Sequence, residues 1–409
     1  MTPTPDLTKP FDIAIAGAGH AGLAVAAALK QAVGERVRLV VVDPKPEARD
    51  RRLRTVALSE GSRNLITRAG AWSTLEPLAQ AIHEMAIFDG RARDAARVEQ
   101  LRFRERDGTP LAHMAFNDDV ADSLSAACQS LGVPVLRGAV AGFAPGPNVA
   151  TLTLAGGGAV KARLVIAADG ARSKLRALAR VKTVGRDTGQ TGIVATIEHE
   201  RDHEGRAEQH FLPGGPFAIL PMRGRYSSIV WNESAEDART LLTLDGEDLL
   251  RQLEPRFTLK LGAIKLASRV ESYPFSFRVA RSFVAERLAL VGDAAHVVHP
   301  IAGLGLNLGL RDVAALAERI VDRLRLGLDP GAPDVLQAYE RDRRFDVVAS
   351  EIGMDSMIRL FSNDIGPLRA LRDFGLRLVD RAPWVKDVFM AEAAGVGTRA
   401  PRLLRGFGL

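Results

Sequence analysis

Three short motifs built from glycine and aspartate stand out in this chain, and their residue types suit the holding of a dinucleotide. The first is Gly17-Ala-Gly19-His-Ala-Gly22. In that spacing the first glycine permits a tight turn and the second lets the backbone approach a pyrophosphate. The third lets a helix pack closely on a strand. A helix starting there also offers free N–H groups and a partial positive charge to phosphates. Asp43 follows about 20 residues further on, placed to accept from a ribose 2′-hydroxyl, and it argues against a 2′-phosphate at this position. The motif does not distinguish NAD from FAD. His20, inside it, is expected to be an exposed turn residue.

The second motif is Asp169-Gly170, at the end of the apolar run Leu164–Ala168 and followed by Ser173. Alone it reads as ordinary capping chemistry. The third is Gly292-Asp293, which continues through His296, His299-Pro300 and Gly303-Leu-Gly305-Leu306-Asn307 to Asp312. A carboxylate at a strand's carboxyl end, where α/β sheets bind ligands, can accept from a ribityl hydroxyl. Gly303 and Gly305 lie just before a helix expected over 306–325, and would let a flat ring rest against backbone N–H groups.

These motifs need a scaffold, and the sequence supplies one. Apolar runs predict strands over 11–16, 37–42, 164–168 and 288–291. An alanine-rich helix is predicted over 23–31, and a hairpin over 151–162 turning at Gly156–Gly158. Strand, glycine turn, helix, second strand and terminal acid are therefore in register around the first motif.

In this order and spacing the three motifs resemble the class A flavin monooxygenases, the group containing para-hydroxybenzoate hydroxylase. The stretch from Gly292 to Asp312 is similar, more narrowly, to the ubiquinone-biosynthesis hydroxylases that oxidise polyprenylated phenols. Arg54-Thr-Val-Ala-Leu with Ser62, Gly70-Ala-Trp72, the run from Phe211 to Pro221, Val230-Trp231 and Tyr273-Pro274 agree with it. The resemblance covers roughly residues 11 to 350. It implies an α/β fold: a Rossmann-like FAD-binding domain with an inserted mixed β-sheet substrate domain and a helical C-terminal tail.

The resemblance further implies non-covalent FAD, with Gly17, Gly19 and Gly22 on the pyrophosphate and Asp43 on the adenosine ribose. Arg54 would lie near the phosphate or ribityl side, and Asp293 on the ribityl chain. Gly303, Gly305, Leu306 and Asn307 would run along the pyrimidine edge. Asp169 and Gly170 belong to a motif associated with both FAD and NAD(P)H. The implied reaction is hydroxylation of a prenylated phenol by molecular oxygen through a C4a-hydroperoxide of the flavin. NAD(P)H or a ferredoxin-type protein would be the reductant, and a quinone-biosynthesis complex and a membrane surface would be partners. Two positions depart from the family pattern: Leu304 stands where Gln is usual, and Arg52 where an acid is often found. No catalytic residue is identified; His296, His299 and Pro300 are candidates, with a packed-turn role as the alternative for the histidines.

Composition narrows the field. With 46% hydrophobic and 25% charged residues, the 409-residue chain is an ordinary globular protein with room for two cores. The single cysteine, Cys128, excludes an internal disulfide and a thiolate metal cluster. It lies in an apolar helical run as a buried structural thiol. No metal site is expected, since no carboxylate or cysteine completes a set around His296 and His299. A net charge of +6 invites a nucleic-acid reading, but with 5% aromatics and no basic-aromatic cluster none is expected. The polar, proline-rich first ten residues point to a cytoplasmic protein, peripheral on the inner face of the membrane if the substrate is lipid-tailed.

The domain organisation expected is FAD-binding segments over 1–81, 116–185 and 279–350, substrate-domain segments over 82–115 and 186–278, and C-terminal helices over 351–409. The two inserted segments should join in one mixed sheet, with Phe211, Phe217, Ile219, Leu220 and Trp231 as pocket-wall candidates or as sheet core. Beyond Pro367 a helix carries Leu368, Leu371, Phe374 and Leu378 on one face and Arg369, Arg372 and Arg377 elsewhere. It would pack on its own protein or rest on an anionic bilayer. Rival readings are a monooxygenase of a soluble aromatic metabolite, a flavin-binding subunit without turnover, and a plain NAD dehydrogenase; the last leaves Gly292-Asp293 unexplained.

Overall fold

The computed structural model describes residues 5–45, 54–90, 97–105, 107–212, 214–257, 259–298, 304–361, 390–391 and 394–409. Its centre is a parallel sheet. Leu288–Leu290, Ala159–Ala167, Phe11–Ala16, Leu39–Asp43 and Val135–Arg137 lie side by side in that order. Both faces of such a sheet are covered, so its strands are continuous apolar runs rather than alternating ones. Ile13, Ala14 and Ile15 are all fully buried, as are Leu164, Val165 and Ile166. The hairpin expected over 151–162 forms from Ala150–Leu154 and Ala159–Ala167, with Val140–Ala144 added beyond it.

The helix His20–Val33 packs over this sheet against the helices Asn117–Ser130 and Leu304–Arg325. It begins three residues before the expected start because Gly22 lies within its first turn, pressed against the preceding glycine turn. His20 is correspondingly not an exposed turn residue. It opens the helix, half-buried, and its Nε2–H donates to the Asn117 carbonyl over 2.8 Å. Cys128 is buried as expected, donates to the Leu23 carbonyl, and burial pushes its thiol up to about 12. Such a thiol is not a nucleophile at neutral pH.

A second, mixed sheet holds, in order, His296–Val297, Glu271–Ala280, Thr183–His199, Tyr226–Ser234, Gly215–Met222, Arg206–Leu212, Glu84–Asp89 and Val98–Arg104. The strand Glu84–Asp89 runs parallel to Arg206–Leu212, so segments far apart in sequence share one sheet. Not all of the earlier insertion joins it. Ala112–Phe116 instead pairs with Thr55–Ser59 and Gln80–Ile82 in a separate three-stranded sheet. The long strand also starts earlier than the sequence suggests. Its polar beginning, Thr183–Asp187, pairs with Ser276–Ala280 and is separated from the rest by an irregularity between Asp187 and Thr191.

The mixed sheet has two different faces. One is backed by the helices Ala235–Leu241 and Gly246–Phe257, whose Ala238, Leu249, Leu253 and Phe257 pack on Ile193, Phe217, Ile219, Ile229 and Trp231. Phe217, Ile219 and Trp231 are therefore sheet core, not pocket wall. Side chains alternate across a strand, so Leu220 and Phe211 point the other way. Leu220 packs with Met114, Met222 and Ile82 toward the three-stranded sheet. Across that seam the Thr55 and Ser228 hydroxyls are hydrogen-bonded at 2.8 Å.

Beyond residue 330 the expected helix forms over Pro333–Phe361, while the described residues 395–409 are turns and irregular chain. The amphipathic stretch after Pro367 lies outside the described residues, as do Arg52, His299, Pro300 and Gly303. Among the described residues no helix is long and apolar enough to cross a membrane.

His113, in the strand Ala112–Phe116, packs edge-on against Trp72, and burial lowers its pKa from 6.5 to about 4. The native state then binds fewer protons than the unfolded chain between pH 6.5 and 4, so this residue costs stability as pH falls through that window. Discounted for partial exposure, the loss between pH 7.5 and 5.0 is about 1 kcal/mol. Urea titrations at the two pH values should show His113→Phe removing about that much of the acid loss. An unchanged loss would refute the assignment.

Candidate active site

All three motifs converge at the carboxyl edge of the parallel sheet. Gly17 follows Phe11–Ala16, Asp43 ends Leu39–Asp43, Asp169 follows Ala159–Ala167, and Gly292 follows Leu288–Leu290. Backbone bonds tie the ends together: Gly17 N–H to Val42, Ala168 N–H to Ala16, and Val291 N–H to Ala167. This is the edge at which open α/β sheets take ligands.

The first motif is wedged tightly on one side and open on the other. A Cβ at Gly22 would lie 1.9 Å from the Gly17 carbonyl oxygen, and one at Gly17 would lie 2.3 Å from that of Ala168. A Cβ at Gly19 would meet nothing within 4 Å. Gly17 and Gly22 are thus glycines for the protein's own packing. Gly19 is not required by any protein atom, and leaves space above the helix N-terminus. Asp43 Oδ2 accepts from the Ala18 N–H at 2.8 Å and Oδ1 from the Lys45 N–H at 2.7 Å, which holds the acid beside the glycine turn.

Asp169 takes the capping role that its motif alone would suggest. It accepts from the Ser173 hydroxyl and from the N–H groups of Lys174 and Leu175. Gly170, at φ +82°, turns the chain ahead of that cap. From the short helix Lys174–Leu178, Arg176 donates to the Ala294 carbonyl at 2.8 Å, joining the second motif to the third.

The third motif rests on a buried ionic cluster. Asp312, fully buried, accepts from the Gly292 N–H at 2.9 Å and from His296 Nε2 at 2.6 Å through Oδ2. Its Oδ1 accepts from Arg343 Nε at 2.8 Å. Burial alone would raise the Asp312 carboxyl, but His296 and Arg343 outweigh it and hold the group below the usual range. Tyr339, one turn before Arg343, donates to the Leu290 carbonyl at 2.7 Å. The helix Leu304–Arg325 also approaches without intervening side chains: a Cβ at Gly309 would lie 3.1 Å from Gly292 Cα. His296 is therefore a packed residue of the turn, 2% exposed.

Asp293, in contrast, is exposed, although enclosed closely enough on its other sides that burial raises its pKa against the opposing fields of His296, His20 and Arg54. Asn307 has its side chain engaged by the scaffold. Its Oδ1 accepts from the Ser59 N–H and the Ser62 hydroxyl, and its Nδ2 donates to the Ala57 carbonyl. Gly305 and Leu306 lie in the first turn of the Leu304–Arg325 helix. Arg54 lies at the seam between the sheets, its guanidinium carbon 3.6 Å from the centroid of the Tyr273 ring. Its Nε is buried and has no hydrogen-bond partner.

Sequence reasoning missed Arg343 and Tyr339. Their signal was present: Tyr339, Arg343 and Val347 recur at helical spacing and are all buried, so a charge sits within an apolar stripe. A charge there needs a partner, and Asp312 is it.

The residues fit an FAD. The space above Gly19 suits a pyrophosphate, Asp43 and Asp293 suit sugar and ribityl hydroxyls, and the orphaned Arg54 Nε suits an anion or a polar edge. Fold and site together define a flavoprotein of the FAD-dependent monooxygenase class. A family model described as an FAD binding domain matches residues 10–350, and the chain belongs to that family. The ubiquinone hydroxylase UbiL of Rhodospirillum rubrum is 40% identical over 417 residues, covering 97% of this chain and 93% of its own. The 3-demethoxyubiquinol 3-hydroxylase of Escherichia coli is 31% identical, covering 95% of this chain and 99% of its own. Among solved structures, p-nitrophenol 4-monooxygenase PnpA from Pseudomonas putida superposes with a TM-score of 0.77 at 19% identity, over 94% of this chain and 98% of that one. The resemblance drawn from the motifs is thereby shown.

The two kinds of glycine can be separated by experiment. Gly19→Ala should fold normally yet bind FAD about tenfold or more weakly, because its methyl enters the pyrophosphate space. Gly22→Ala should cost about 3 kcal/mol of stability through its clash with the Gly17 carbonyl. FAD titration and urea unfolding of both variants check this; equal behaviour would refute the distinction.

Proposed function

We propose that this chain hydroxylates the aromatic ring of a polyprenylated phenol in ubiquinone biosynthesis, using FAD, molecular oxygen and a reductant of the NAD(P)H or ferredoxin type. The observation that carries the reading is the 40% identity to a ubiquinone hydroxylase over nearly the whole of both chains. With NAD(P)H the balance is one O2, one NAD(P)H, one proton and the phenol giving hydroxylated phenol, water and NAD(P)+.

In this reading Gly17, Gly19 and Gly22 seat the pyrophosphate, and Asp43 binds the adenosine ribose. Arg54 faces the phosphate–ribityl side, and Asp293 accepts from the ribityl chain. Gly303, Gly305, Leu306 and Asn307 border the pyrimidine edge, Asn307 through its backbone while its side chain fixes the helix to the Thr55–Ser59 strand. Asp169 and Gly170 shape the adjoining turn. Bound FAD supplies the activation of oxygen once it is reduced. The protein's part is position, dryness and electrostatics.

The parallel sheet and its helices form the FAD-binding unit, assembled from 1–81, 116–185 and 279–350. The segments 82–115 and 186–278 form the substrate unit, with most of their strands in the mixed sheet and Ala112–Phe116 in the three-stranded sheet beside it. Dryness comes from the seam between the sheets, which Leu220, Met114, Met222 and Ile82 close with a packed apolar cluster. A prenylated phenol is dissolved in the bilayer, so the enzyme acts from the cytoplasmic membrane face, alone or within a quinone-making assembly.

Deleting the gene and profiling quinones and precursors by mass spectrometry tests the reading. A prenylated phenol lacking one hydroxyl should accumulate, and its structure names the ring carbon. An unchanged quinone pool, in a genome without a redundant relative, would leave instead a hydroxylase of soluble aromatics.

A further inference from the structure

Arg54 has to reach across from the flavin-binding part of the chain, and the structure shows what holds it. The guanidinium lies over the ring of Tyr273, which belongs to the other sheet. Tyr273 pairs in register with Gly192, while the neighbouring Ile193 points into the helix-backed core. Tyr273 thus faces the flavin-binding side. Two residues earlier on the same strand face, Glu271 accepts the hydrogen bond of the Tyr273 hydroxyl. Glu271 is itself held by Arg269 at 2.9 Å.

The next residue on that face, Phe275, closes the arrangement from the other side. A Cβ at Gly192 would lie 2.2 Å from Phe275 Cζ, so the Phe275 ring lies directly over the glycine. Glu271, Tyr273 and Phe275 therefore form one row along the strand, with Arg54 against its middle member. A cation on a tyrosine face is favoured by the ring quadrupole, more so where water is excluded. The ring contact leaves the buried Nε of that guanidinium without a hydrogen-bond partner.

We propose that Tyr273, oriented by Glu271, is a positioning residue for FAD: it holds Arg54 at the seam so that the guanidinium edge is presented to the phosphate–ribityl side of the cofactor. The proposal rests on Arg54 being an FAD contact. Through this stack the mixed sheet contributes to flavin binding without touching the flavin, and a change in the sheet's strand Glu271–Ala280 is felt at the cofactor.

The test is FAD affinity of the full chain, measured by flavin fluorescence on dilution of the holoprotein, for Arg54→Ala, Tyr273→Leu, Tyr273→Phe, Glu271→Gln and the double variant Arg54→Ala/Tyr273→Leu. Tyr273→Leu should weaken FAD about tenfold, whereas Tyr273→Phe, which keeps the ring, should restore affinity to within about threefold. Glu271→Gln should behave like Tyr273→Phe. In the double variant the leucine should add nothing to the loss caused by Arg54→Ala, because both act through one contact. Additive losses, or undiminished affinity in Tyr273→Leu while Arg54→Ala is weakened, would overturn the positioning role. Undiminished affinity in Arg54→Ala would instead overturn the placement of Arg54 on FAD. Thermal unfolding of each variant separates these results from loss of fold.

Discussion

A single buried carboxylate, that of Asp312, fixes the geometry on which the flavin site depends. One of its oxygens receives the backbone N–H of Gly292 and the ring of His296; the other receives Arg343. Removing one member of a buried ionic set leaves the others uncompensated, typically at a cost of about 3–5 kcal/mol. Three separate pieces of chain are therefore obliged to meet at one point: the turn after Leu288–Leu290, the helix Leu304–Arg325 and the helix Pro333–Phe361. Asp293 is held in place by that meeting. Its neighbour in sequence is the pinned Gly292, and its own carboxylate is left open to solvent.

The same economy recurs elsewhere at the sheet's edge. Asn307 ties the start of the Leu304–Arg325 helix to the Thr55–Ser59 strand and the helix after it. Arg176 ties the second motif to the third. Each of these side chains satisfies buried backbone groups that would otherwise be costly. The open Asp293 carboxylate and the unpartnered Arg54 Nε are among the polar groups left with chemistry to offer a ligand.

The site was largely legible in the sequence where its determinants are local. Strand, glycine turn and helix follow one another within residues 11–33, and each step has its own periodicity or turn residue. The determinants that were not legible are those whose partner lies far along the chain. Thr183–Asp187 is polar and glycine-bearing, with no strand signature, and becomes a strand because Ser276–Ala280 offers it a ladder. Alternation in Gly215–Met222 and Tyr226–Ser234 shows that two faces exist. Nothing local says that the helices over 235–257 cover the face bearing Phe217 and Trp231. His296 looked available for chemistry because Asp312 was read as the tail of a motif rather than as its partner.

The parallel pairing of Glu84–Asp89 with Arg206–Leu212 also bears on how the molecule is made. Arg206 closes its ion pair on Glu84, 122 positions earlier. At ordinary rates of synthesis the hairpin of Glu84–Asp89 and Val98–Arg104 waits on the order of ten seconds for its neighbour to leave the ribosome. During that time one strand edge is unpaired, a known invitation to aggregation. Arg343 emerges later still, so the turn bearing Asp293 cannot be set until most of the chain is out. Cofactor loading is then a late event in the life of each molecule, and a nascent chain stalled between these points would have neither a finished sheet nor a place for its flavin.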